Sequence, residues 1–178
     1  MKLLGISGTI SGTRTRLVVE KILDSAKEQF PEIETECLDL GKYDIQFCDG
    51  RDPASYTGDT KKVIDIVKDA DMYIIATPIY QASMTGALKN LFDLVPVSAF
   101  HGKVIGFAAT GGTYQHFLVI ENQLKPIAGF FRSYVAPNYV YVHNDHFNEN
   151  NEIIDETIIE RINGLANQVV FMQKSLNN

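Results

Sequence analysis

Three polar, glycine-bearing segments carry residue types that could hold an anion and a flat ring. The first is Ser7-Gly8-Thr9-Ile10-Ser11-Gly12-Thr13, followed by Arg14 and Thr15. Its hydroxyls at Ser7, Thr9, Ser11, Thr13 and Thr15 donate hydrogen bonds, and amides at a helix start add positive potential. Together they suit a dianionic phosphate, with Arg14 adding a formal charge. The spacing is neither the G-x-x-x-x-G-K-[ST] of a nucleoside-triphosphate loop nor the G-x-G-x-x-G of a dinucleotide fold. Serine and threonine also cap helices, so a phosphate site and plain capping both remain open here.

The second segment, Thr77-Pro78-Ile79-Tyr80-Gln81-Ala82-Ser83, places an aromatic beside a proline. A planar heterocycle needs an apolar or aromatic wall and polar groups at its edge, and this loop has both. A surface or interface tyrosine is the alternative. The third, Thr110-Gly111-Gly112-Thr113-Tyr114, either lets a ligand approach the backbone closely or makes a tight turn. A protein nucleophile has little support. There is no G-x-S-x-G elbow, and Cys37 and Cys48 fit neither metal nor redox spacing. Cys37 reads as a core strand residue and Cys48 as a loop thiol. His101, His116, His143 and His146 lack metal-ligand spacing and read as scattered surface residues, so no metal site is expected. In a crevice of this kind a cofactor would carry the chemistry while the protein orients it.

These loops need elements to position them, and the hydropathy pattern supplies a regular alternation. Short apolar runs at 2–6, 33–38, 72–76 and 104–109, and an irregular one at 133–142 containing Pro137, read as strands. Between them, apolar residues at helical spacing predict helices from Thr13 to Pro31, at 57–70, at 84–94, at 114–131 (with Pro126 inside it) and at 153–171. The tail from 174 to 178 reads as frayed. The order βαβαβαβαβα predicts one α/β domain over 1–178, with right-handed crossovers and a parallel sheet covered on both faces. Each of the three segments leaves the carboxyl end of a strand, where such sheets bind ligands.

Composition narrows the partners. The 178 residues carry 22 acidic and 16 basic side chains, a net charge of −6, which argues against nucleic acid. No apolar run approaches the roughly 20 residues that span a bilayer, so no membrane partner is expected. The N-terminus enters a strand without the progression of a signal peptide, which points to the cytoplasm.

One stretch is recognisable. Pro78-Ile79-Tyr80-Gln81-Ala82-Ser83-Met84-Thr85-Gly86-Ala87-Leu88-Lys89-Asn90, followed by Asp93, resembles the P-x-Y-x-x-S-x-x-G-x-L-K-N…D signature of the NAD(P)H-dependent FMN reductases. Ala108-Ala109-Thr110-Gly111-Gly112-Thr113, continuing through His116 to Leu124-Lys125-Pro126, is similar to the branch serving two-component monooxygenases, the alkanesulfonate-system reductases among them. The resemblance implies a flavodoxin-like three-layer sandwich with a five-stranded parallel sheet of order 2-1-3-4-5. It implies an oxidoreductase that passes hydride from NADPH or NADH to flavin N5 and supplies reduced flavin to an acceptor. Ser7, Ser11, Thr13 and Thr15 match the phosphate-loop positions. Pro78, Ile79 and Tyr80 match the flavin wall, with backbone amides near Tyr80 and Gly111 at the ring edge. Thr110, Gly111 and Gly112 match the loop flanking the ring, and Ser83 a position near the flavin or a subunit interface. A homodimer or homotetramer is implied, with the helix after Thr85 at the interface, and a flavin-dependent monooxygenase as a partner. The chain departs from the pattern at Thr9, where the family often has arginine, and at Asn122, where some members insert a tyrosine. FMN as a loosely held substrate and FMN as a retained cofactor of a quinone, azo or metal-oxyanion reductase are therefore both open. A flavodoxin-type electron carrier is the non-enzymatic alternative.

Overall fold

The strand-sized runs become six strands in a computed structural model that describes residues 1–177. They are β1 (Lys2–Ser7), β2 (Glu34–Asp39), β3 (Met72–Pro78), β4 (Val104–Gly111), β5 (Tyr134–Val135) and β6 (Val140–His143). Every pairing is parallel, in the order β2-β1-β3-β4-β5, with β6 also on β4. The helices are α1 (Arg14–Gln29), α2 (Gly58–Asp69), α3 (Gly86–Leu94), α4 (Lys125–Phe130) and α5 (Glu156–Leu176).

Side-chain alternation in the central strand builds the three layers. Met72, Ile74 and Ala76 of β3 pack with Val18 and Ile22 of α1 and with Leu165 and Val169 of α5. Tyr73 and Ile75 face the other way, into a core with Val63 and Val67 of α2, Leu88 and Leu91 of α3, and Phe100. The chain steps from β1 outward to β2, then crosses back to place β3 on the other side of β1. That reversal opens a crevice at the carboxyl ends of β1 and β3, where the Gly8 N–H donates to the Ala76 carbonyl at 2.8 Å. This is a flavodoxin-like α/β fold with the expected order.

Four local expectations change. The fifth strand is two pieces, because Pro137 interrupts it. The Ala136 N–H still reaches the Ile105 carbonyl at 2.9 Å before the chain leaves the sheet. Residues 114–131 are not one α-helix but a 3-10 turn (Tyr114–Phe117), a π-helical turn (Ile120–Leu124) and then α4. Pro126 sits in the first turn of α4, where its missing N–H is no loss, so the helix restarts there. The last helix begins at Glu156, with the Asp155 carboxylate accepting from the Ile158 N–H at 3.1 Å, and runs to Leu176 rather than fraying at 174. Gln173 holds that end by accepting from the Val104 N–H at 2.9 Å, and Lys174 lies over the Phe30 ring and pairs with Glu32. Cys37 lies on β2 half-buried rather than in the core, and both cysteines are free thiols.

Candidate functional site

The first loop leaves β1 through Gly8, where a Cβ would come within 2.8 Å of the Ala76 carbonyl, so only glycine fits that crossing. It then runs exposed through Ile10, Ser11, Gly12 and Thr13 into α1. Thr9 turns inward and donates to the Ser11 carbonyl at 2.6 Å, bracing the loop. Thr13 occupies the N-cap position of α1 yet makes no side-chain cap bond. Among the described residues, no backbone N–H from Thr9 to Arg16 donates to another protein group. Plain capping therefore does not account for the hydroxyls, and the helix start presents unmatched donors. Thr15 points under the loop and shares a buried hydrogen bond of 2.8 Å with Thr110. Arg14 sends Nε to the Asn151 side chain at 2.8 Å and Nη1 to that of Asn144 at 3.1 Å, and lies over the Phe147 ring. Its charge sits at the site, held by the loop after β6.

The second loop is built differently. Its outgoing Ile79 N–H donates to the Thr110 carbonyl at 2.9 Å, and the Tyr80 and Ser83 backbones exchange two hydrogen bonds of 3.0 Å. The two residues between them are both left-handed, Gln81 at φ 48° and Ala82 at φ 58°. The Ile79 and Tyr80 amides are thus used internally rather than left for a ring edge. Thr85 then caps α3, its Oγ accepting from the Leu88 N–H at 3.1 Å and donating to the Gly8 carbonyl. That last bond ties the second loop to the first.

The third loop leaves β4 through Gly111, where a Cβ would meet Tyr141 Oη at 2.5 Å, and Gly112, where it would meet Asn144 Nδ2 at 2.9 Å. Tyr141 Oη donates to the Thr113 carbonyl at 2.7 Å, and burial pushes its phenol pKa up, which keeps that proton in place. His143, at the end of β6, is buried and stacks on Tyr114 at 4.0 Å with the rings 10° apart, so it is not a surface histidine. Its Nδ1 accepts from the Asp145 N–H, and His146 Nδ1 accepts from the His143 N–H at 3.1 Å, which shapes the turn bearing Asn144.

The three loops enclose one cleft of about 490 Å³. Thr9, Ser11, Gly12, Thr13, Arg14 and Thr15 line one end, Pro78, Ile79 and Tyr80 one wall, and Thr110, Gly111 and Gly112 the other. Two anticipated residues stand outside it. Ser7 is fully buried beneath the loop, its Oγ unmatched among the described residues. Ser83 donates to the Gln123 side chain at 2.7 Å instead of facing the cleft. Asn144 and Asn151 also line the cleft and were not anticipated. The run of asparagine and acidic residues after β6 reads as an ordinary loop, and only the tertiary partnership with Arg14 gives it a role. A hollow of similar size, about 520 Å³, lies between Pro137, Asn138 and Tyr139 at the amino end of β6 and Thr157, Glu160 and Arg161 of α5, a helix start that Asp155 already caps. Among the described residues, no three His, Cys, Asp or Glu side chains converge as metal ligands.

The cleft fits a flavin mononucleotide on three observations. The unmatched amides of the α1 start suit its phosphate, Tyr80 and Pro78 form a flat wall, and the side-chain-free backbone at Gly111 and Gly112 admits a ring. Known proteins agree. Residues 1–147 match the family described as NADPH-dependent FMN reductase. The chain is 58% identical over 178 residues to an NAD(P)H-dependent FAD/FMN reductase of Geobacillus thermodenitrificans, covering 100% of this chain and 96% of the relative. It is 32% identical over 164 residues to an NADPH-dependent FMN reductase of Pseudomonas aeruginosa, covering 90% and 86% of the two chains. An apo NADH:FMN oxidoreductase structure superposes with a TM-score of 0.77 at 22% identity, covering 98% of this chain and 89% of that one, a likeness of fold.

Proposed function

This chain belongs to the NADPH-dependent FMN reductase family and is a flavin reductase of NAD(P)H-dependent type; from that premise we propose that it takes FMN as an exchangeable substrate and delivers reduced flavin to an acceptor. The observation that carries this reading is the α1 start, whose donors are unmatched and whose loop is exposed at Ile10, Ser11, Gly12 and Thr13. A phosphate can reach those donors and leave again without the loop unfolding.

When bound, the flavin supplies the redox chemistry, as acceptor of a hydride from reduced nicotinamide. The chain's own residues orient and shield. The Thr9–Arg16 amides and the Thr13 hydroxyl would hold the phosphate, with Arg14 balancing its charge. Tyr80 and Pro78 would wall the ring on one side, and Gly111 and Gly112 would let it lie close to the backbone on the other. The buried Thr15 and Thr110 hydroxyls are paired with each other and join the first loop to the third beneath the cleft.

The reading extends to NADPH or NADH as donor, to a cytoplasmic setting, and to a homodimer or homotetramer. The exposed Phe130, 71% accessible, stands with Pro126 and Ile127 along the α3 flank at Phe92, which supports contact through that flank. A flavin-dependent monooxygenase is the proposed consumer of reduced flavin, on the strength of the motif likeness from Ala108 to Pro126. The test is NADPH oxidation by flavin-stripped protein as FMN is titrated from below to far above the protein concentration, with NADH run alongside. A rate that climbs until FMN is in large excess supports a substrate flavin. A plateau near one FMN per chain, with turnover then depending on an added quinone or azo acceptor, would make FMN a retained cofactor. No oxidation with either nucleotide would overturn the reductase reading.

A further inference from the structure

The turn that presents Tyr80 to the cleft is costly in itself. Both central residues lie in the left-handed region, Gln81 at φ 48° and Ala82 at φ 58°, and neither is glycine or asparagine. A two-residue turn with positive φ at both positions strongly favours Asn-Gly for steric reasons. Such a conformation persists only where its surroundings hold it. Beyond the two backbone bonds between Tyr80 and Ser83, the side-chain hydrogen bonds to this turn come from one residue. Gln123 accepts from the Ser83 hydroxyl at 2.7 Å through Oε1 and donates to the Ala82 carbonyl at 3.2 Å through Nε2. It uses both ends of its amide on the two residues that close the turn.

The base of this contact is fixed. Gln123 belongs to the π-helical turn Ile120–Leu124, whose Ile120 and Leu124 are fully buried in the core. A π turn inside a helix is uncommon and tends to mark a functional position. The amide therefore reaches the turn from a seated element some 40 residues further along the chain.

We infer that Gln123 is a positioning residue that clamps the strained Tyr80–Ser83 turn and so sets Tyr80 as a wall of the cleft. The inference rests on the flavin-site reading for its consequence, but the clamp can be tested without it. Gln123→Ala should bind FMN about tenfold more weakly, as expected for two lost hydrogen bonds. Hydrogen exchange at the Tyr80 and Ser83 amides should quicken by a similar factor, and the thermal midpoint should fall by only a few degrees. The decisive comparison places the same substitution in a Gln81→Asn/Ala82→Gly background, where the turn holds its shape unaided. There Gln123→Ala should change both quantities less than about twofold. Equal losses in the two backgrounds, or no quickened exchange in the native turn, would overturn the clamp. If the unaltered chain fails to bind FMN, the flavin reading falls, and the exchange measurement alone still decides the role of Gln123.

Discussion

The starts of α1 and α3 border the same cleft and are built on opposite plans. At α1 the N-cap Thr13 makes no side-chain bond and the amides from Thr9 to Arg16 are unmatched. At α3 the N-cap Thr85 accepts from Leu88 and donates to Gly8, while the preceding turn pairs its Tyr80 and Ser83 amides and is held by Gln123. The first is a set of donors waiting for a partner, and the second is a shape already complete. A binding site needs both, because donors give affinity for the charged end of a ligand whereas a fixed wall gives orientation to its flat end.

Substitutions should separate the two. The largest effect is expected on folding at α3. Thr85→Val removes a cap and a buried link between loops, and should cost about 2–3 kcal/mol. At about 2–4 °C per kcal/mol for a chain of this size, a thermal melt should fall by roughly 4–12 °C. The matching change at α1, Thr13→Val, should leave the melt within about 1 °C, since no cap bond is lost, yet weaken FMN about tenfold through one lost hydrogen bond to a charged group. Riboflavin, which lacks the phosphate, should bind the two proteins equally. A Thr13 variant that melts early with unaltered FMN affinity would erase the distinction.

A smaller effect is expected at Arg14. Its guanidinium is engaged by Asn144 and Asn151, so Arg14→Met should weaken FMN only about threefold, and more at low salt than at high, as an exposed charge does. The smallest is a control at a residue that does not line the cleft. Burial, aided by Glu20 and Asp39, pushes the Cys37 thiol on β2 up to about 11. Only the thiolate reacts with iodoacetamide, so Cys37 labelling followed by mass spectrometry should stay slow at pH 8–9 and accelerate as pH approaches 11, with or without FMN. Protection by FMN would place the ligand outside the cleft.

The architecture was legible because its signals are local. Met72 to Ala76 is continuously apolar, α1 repeats at helical spacing up to Pro31, and each polar loop follows a strand end. What escaped depends on contacts between distant segments. Residues 114–131 look like one helix until the restart at Pro126 is seen, and His143 looks like a surface residue until Tyr114 stacks on it. The polar loop at α1 could be named in advance, because its hydroxyls and the helix start lie within one short stretch of sequence. Gln123, Asn144 and Asn151 could not, since a lone amide side chain carries no periodicity and gains meaning only from partners that lie, in turn, 40, 130 and 137 positions away. Ser7 and Ser83 lie apart from the cleft lining. Their motif positions implied a phosphate-loop contact for the first and a place near the flavin or a subunit interface for the second, whereas Ser7 lies under the loop and Ser83 donates to Gln123.

The divided fifth strand has a consequence for the molecule in company. An open parallel sheet ends in two rows of unpaired backbone groups, each able to recruit a strand from another chain. On one side β5 is two residues long, Pro137 interrupts the line before β6, and the Asn138 N–H is taken by Gln168 of α5 at 3.2 Å. The opposite border, β2, carries Glu34, Glu36 and Asp39. One margin is too broken to template a neighbour and the other is lined with carboxylates, one of them, Glu36, paired with Lys2, so neither border offers a clean edge for a strand to extend the sheet.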